Sequence, residues 1–186
     1  MMLPLPPLQS LTEDSRIFFR LWDGWRAGKL LPRWRDIDLS LFGALLPRLL
    51  VIEVRSASLA PFLFVGTEVE RQLGQGESLI GADYIAMVAP EKRALRGQLL
   101  WREVTQPCAA ANINRLRYAS GEEVAVEVVS APVAPDTEGQ PMRLLALVSG
   151  LPPQGASADF DHTAPGTGEA LRFFDIGAGI VSARED

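Results

Sequence analysis

Apolar side chains follow two different periods along this chain, and the switches between them divide it into elements. In "TEDSRIFFRLWDGWRAGK", Phe18, Leu21, Trp22 and Trp25 stand at i, i+3, i+4 and i+7, which is one stripe of an amphipathic helix. Ser10 and Glu13 have the spacing of a capping box at its start, and Gly28 is a natural stop at its end. The next stretch, "LLPRWRDIDLSLFGALLPRLLVIEV", has no single period. Pro32 bends the chain, Asp36 or Asp38 can cap a short helical turn through Leu39, Phe42 and Leu45, and Pro47 ends that turn. "RLLVIEVR" is then a short apolar strand, and "PFLFVG" is its antiparallel neighbour across a turn at Ser56–Ala60.

Helical signals return in the middle of the chain. "TEVERQLG" is a short helix stopped by Gly74, and "GADYIAMVA" is another with Asp83 near its start. Pro90 suits the first turn of a longer helix, on which Leu95 and Leu99 share a face. Three strands follow: "CAAANINRLRYA", "VAVEVVSAPV" and "MRLLALVSG". The first two are joined as a hairpin, and the third can pair with the second. In the second of these strands Val124, Val126 and Val128 share one face, and that valine face is expected to be the core side. Two strands, several helices and three strands predict an α+β domain built on one antiparallel sheet.

The ends of the chain differ in composition. Residues 1–11 are proline-rich and predicted to be disordered, the domain fills 12–150, and 151–170 has the Pro, Gly, Ser and Asp content of a linker. The final segment, 171–186, carries the apolar island "LRFFDIGAGIVS", which is too short to fold alone and is expected to dock on the domain or on a second copy.

Composition narrows the function. At 186 residues, 47% hydrophobic and 22% charged, the chain can bury a real core. A formal charge of −5 argues against binding nucleic acid or an anionic membrane surface. The longest apolar stretch is interrupted by Pro47 and Arg48 and falls short of the roughly 20 residues of a membrane span. With no basic leader at the start, the expectation is a soluble, cytoplasmic protein.

Candidate chemistry is sparse. Cys108 is the only cysteine and sits at the start of a strand, where a small apolar role is the simpler reading. His162, the only histidine, lies between linker residues beside Asp159 and Asp161. That is a poor frame for a metal, for haem ligation or for a catalytic triad. "GQGES" lacks the lysine of a phosphate loop and is a turn. The expectation is no enzyme, no metal and no cofactor. Asn112 and Asn114 share one face of their strand; facing inward they could orient a small molecule, facing outward they are ordinary solvated groups. Trp101, on the long helix, is either core or pocket wall.

Several of these residues form a recognisable pattern. Trp22 and Trp25 are followed by Pro32, Arg35, Asp36, Ile37 and Asp38, then by Leu45, Leu46 and Pro47 leading into "RLLVIEV". Phe62, Phe64, Gly66, Thr67 and Gly74 continue it, with a looser match over Gly81 to Tyr84 and a hairpin ending in Pro132. Residues 12–150 thereby resemble the PAS domain. More narrowly they are similar to a bacterial PAS family, common in alphaproteobacteria, first catalogued as a domain of unknown function. The resemblance implies a five-stranded antiparallel sheet with helices over one face, here preceded by the N-terminal amphipathic helix. It also implies a space between sheet and helices that holds a ligand or is simply core, and a sensory or regulatory role.

Asn112, Asn114 and Trp101 are then the candidate ligand-binding residues. Phe18, Leu21, Trp22 and Trp25 are the candidate homodimer contact, because such leading helices often pack on a second subunit; the chain's own sheet is the rival cover. With no output segment recognised, signalling would pass through dimerisation or a protein partner. A structural adaptor or dimerisation protein without ligand is the alternative, and an enzyme with an unrecognised site is a further one.

Overall fold

The computed structural model describes residues 11–74, 77–118, 123–150, 158–159 and 171–180; the side chains of 114–118, 123–124 and 158–159 are not described. Residues 1–10 of the N-terminal stretch, the linker 151–170 apart from 158–159, with the Asp161–His162 pair in it, and residues 181–186 therefore lie outside the described residues.

Helix α1 (Glu13–Arg26) starts two residues later than the expected box: Thr12, not Ser10, is the cap, and its side chain accepts from the Ser15 amide. Glu13 instead pairs with Arg16 and Arg20 along the exposed side of the helix. At the other end Ala27, ahead of Gly28, already takes the left-handed conformation that stops it. The expected turn follows as a 3₁₀ segment, Leu39–Arg48, kinked at Gly43 and capped by Asp38, whose carboxylate accepts from Ser40 N at 3.0 Å.

Strands β1 (Leu49–Val54) and β2 (Phe62–Val65) are antiparallel neighbours. Helices α2 (Thr67–Leu73), α3 (Tyr84–Met87) and α4 (Arg93–Thr105) follow, with Asp83 capping α3 through the Ile85 amide. The chain then makes β3 (Cys108–Tyr118), β4 (Glu123–Val133) and β5 (Met142–Ser149). The sheet order is β2-β1-β5-β4-β3, antiparallel throughout. Two short strands extend it: β6 (Ala158–Asp159) and β7 (Arg172–Asp175) both pair with β3, at opposite ends.

Alternation along the strands sorts the core into two layers. Leu50, Ile52, Val126, Leu144 and Ala146 face α2, α3 and α4. Leu49, Val51, Val129, Ala131, Leu145 and Leu147 face α1 and the 3₁₀ segment. The valine face of β4 is thus core, but so is the opposite face, because the leading helix folds back over it. Phe18, Phe19 and Trp22 are fully buried there, against the chain's own sheet. Trp22 also donates its indole N–H to the Pro132 carbonyl at 3.0 Å.

The start of α1 is tied to the same face by Glu127. Its Oε1 accepts from Thr12 N at 3.0 Å, Thr12 Oγ1 at 2.7 Å and Ser15 Oγ at 2.5 Å. Truncating Trp22 to Ala removes the largest side chain of this layer and should lower unfolding stability by about 3–5 kcal/mol. Urea titration measures it as a shifted midpoint with an unchanged slope.

Candidate functional site

Helix α4 sits on the sheet with an unexpected face down. Leu95, half of the predicted stripe, is exposed, and the buried positions are Arg96, Gly97, Leu100, Glu103 and Val104. These recur at i, i+1, i+4, i+7 and i+8, a regular helical face that happens to contain two charges. Gly97 permits the close seat, since a Cβ there would overlap the Ala57 carbonyl on the turn between β1 and β2. Trp101 lies off this face, is 40% exposed and takes no part in the cavity beneath it.

That cavity, about 60 Å³, opens between α4 and strands β1, β3, β4 and β5. Leu50, Ile52, Leu100, Val128 and Leu144 make its apolar wall. Leu171 and Phe173, immediately before and within β7, close one side. Arg96, Glu103, Asn112 and Ser130 supply its polar groups, from α4, β3 and β4.

Asn112, a sequence candidate, is therefore an inward residue, 7% exposed, and its Oδ1 has no hydrogen-bond donor. For Asn114 only the backbone is described, paired with Val126. Arg96 is 8% exposed, and its Nε has no partner. Among the described residues the guanidinium forms no ion pair; it lies over the Tyr84 ring, 5.8 Å from Cζ to centroid. A buried cation with no ion-pair partner is costly, of the order of 3–5 kcal/mol where such pairs have been broken, and the one carboxyl near enough to act on Arg96, Glu103, is itself held largely neutral by burial.

Glu103 receives a hydrogen bond from Ser130 Oγ at 2.6 Å. Burial pushes its carboxyl up to about 7, against the opposing pull of that hydrogen bond and of the Arg96 charge. Cys108 Sγ, on β3, is pushed up to about 12, by burial first and by the Glu103 charge second. A thiol held so firmly protonated is a poor nucleophile. Among the described residues, no three His, Cys, Asp or Glu side chains converge on a metal position. The Asp159, Asp161 and His162 group falls outside the described side chains.

Sequence reasoning missed Arg96 and Glu103 because a hydropathy stripe counts charges as solvent-facing. The signal available was their spacing: both share a helical face with Gly97, Leu100 and Val104. Of the α1 candidates, Phe18 and Trp22 are inside the chain's own core, whereas Leu21 and Trp25 are half-buried at its rim.

The raised Glu103 value has a direct thermodynamic consequence. From about pH 4.5 to about 7 the folded protein keeps a proton that the unfolded chain has released, so stability falls as pH rises across that window and levels off above it. The loss attributable to this group is about 3 kcal/mol. Glu103→Gln removes the titration while keeping an acceptor for Ser130. Urea unfolding should show the variant gaining on the wild type by about that amount between pH 4.5 and 8.

No helix among the described residues is long and apolar enough to cross a membrane. No curated protein matches the chain. The PAS domain family matches residues 11–149, about three quarters of its length. The match begins one residue before the cap of α1, ends on the last residue of β5 and includes every strand that bounds the cavity apart from β7. With the antiparallel sheet and the helices over the cavity already in place, the chain belongs to the PAS domain family.

Proposed function

We propose that this PAS domain is a bacterial, cytoplasmic sensory module that takes a small molecule into the cavity beneath α4. The observation that carries the reading is the pair of unpartnered polar atoms on the cavity wall, Arg96 Nε and Asn112 Oδ1. Native cores satisfy nearly all such groups, so two of them left open on one cavity wall call for an occupant that completes them. The domain is read as non-catalytic, in keeping with the protonated Cys108 thiol.

Occupancy has a route to the opposite face. Successive β7 side chains alternate across the sheet, so that Phe173 lines the cavity while Phe174 packs beside Phe19 of α1 at 6.5 Å between ring centroids. A shift of β7 on ligand entry is thereby felt by α1. The output is passed to a protein partner or to a second copy meeting the rim residues Leu21 and Trp25.

Native mass spectrometry of gently purified protein tests the ligand. A small molecule retained under native conditions and released by acid denaturation is the expected result; a chain of bare mass in every preparation favours a structural adaptor instead. Sedimentation tests the pairing. Trp25→Glu should turn a wild-type dimer into a folded monomer, and a wild type that is monomeric at high micromolar concentration removes this route.

A further inference from the structure

We infer that the cavity beneath α4 binds a small hydroxycarboxylic acid, its carboxylate on Arg96 and its hydroxyl donating to Asn112. This rests on the reading of the cavity as a ligand pocket and adds the chemical class. The argument begins with charge. Arginine stays protonated at any physiological pH, so Arg96 brings a permanent cation to a wall that otherwise consists largely of aliphatic side chains. Among the described residues no carboxylate forms an ion pair with that cation and its Nε has no acceptor; Tyr84 offers only a ring face and Glu103 is neutral up to about pH 7, so an anion entering the cavity supplies what is missing. A carboxylate suits a guanidinium best, because two parallel N–H groups meet two oxygens in one plane.

Asn112 sets the second requirement. Its Oδ1 is buried and accepts nothing, so the ligand must carry a donor as well as a negative charge. Size sets the third. About 60 Å³ admits a molecule of only a few heavy atoms and is far below the roughly 300–1,000 Å³ of pockets for drug-sized ligands. Ring cofactors are thereby excluded from the cavity as it stands.

Glu103, the one carboxyl on the same wall, does not oppose an anion while it is neutral. Burial holds it protonated up to about pH 7, and Ser130 is already hydrogen-bonded to it. A neutral carboxyl is a further donor toward the ligand.

Lactate, lactamide and propionate are matched in size and separate the two requirements: lactamide lacks the charge and propionate lacks the donor. Each is titrated at pH 6 into the full chain, unfolded and refolded beforehand to strip any bound molecule, while the Asn112 side-chain amide and the Ala110 and Ser130 backbone amides are followed by NMR. Lactate should shift them saturably, with lactamide at least tenfold weaker and propionate intermediate. Arg96→Gln should reduce lactate affinity at least tenfold while leaving the weak lactamide response unchanged. If that variant fails to fold, Arg96→Lys, which keeps the charge but loses the planar fork, should still weaken lactate severalfold.

Lactamide binding as tightly as lactate, or lactate binding unchanged by the Arg96 variants, overturns the acid while the pocket stands. So does native mass spectrometry that finds a bound molecule without an acidic group. If no probe shifts the cavity amides and the native protein carries no small molecule, the pocket reading falls with it.

Discussion

A sheet whose central strands have no polar face must be covered twice, and this requirement governs the whole arrangement. Leu144 to Val148 on β5 are buried at every position, as are Leu49 to Ile52 on β1. Left with one cover, either strand would present half of its side chains to water, at roughly 1.5–3 kcal/mol for each large one. The helices between β2 and β3 cover one side. Among the described residues α1, with the 3₁₀ segment behind it and Phe174 and Ile176 at its edge, covers the other, which makes the leading helix part of the core. Its attachment is correspondingly specific: Glu127 holds its first turn, the Pro132 carbonyl holds Trp22, and Arg26 Nη1 donates to the Ile176 carbonyl at 3.0 Å.

The two sides differ in character. The α1 side is packed with aromatic rings, Phe18 meeting Phe19 edge-on at 5.1 Å and stacking on Phe42 at 5.9 Å. Beneath α4, by contrast, aliphatic side chains surround an arginine, a glutamate and an asparagine with open hydrogen-bonding capacity. Apolar residues at those positions would give a more stable protein, as replacements of buried ion pairs often do. Retaining polar groups in a core is how a stable scaffold comes to contain a receptive one, and stability is commonly given up at such places.

Much of this was legible before any coordinates. The 3.6-residue period of α1, the alternation in β3 to β5, and the aspartates at 38 and 83 followed from local physics, and the Pro32 to Pro47 pattern pointed to the family. What local physics cannot supply is the direction a face points. Asn112 could be read either way because its orientation depends on which side of β3 carries the helices, a matter of topology. Glu127 stands on the face of β4 opposite the valines, yet it is buried, and Thr12 and Ser15, more than a hundred residues away, complete its hydrogen bonds. Arg96 and Glu103 were passed over because hydropathy placed the face of α4 by Leu95 and Leu99, whereas the face that seats on the sheet carries two charges.

Strand β7 places the limit of the folding unit beyond the limit of the family. The PAS match closes at residue 149, but the backbone of Cys108 to Ala111 finds its outer partners in Arg172 to Asp175, and Phe174 and Ile176 sit inside the aromatic layer. A module excised at the family boundary and grafted onto another protein would travel with a bare strand edge, a hole beside Phe19 and an unroofed cavity. Bare edges recruit strands from other chains. The transplantable piece of this protein is therefore discontinuous in family terms: it needs the last apolar island to come along, whatever becomes of the chain between.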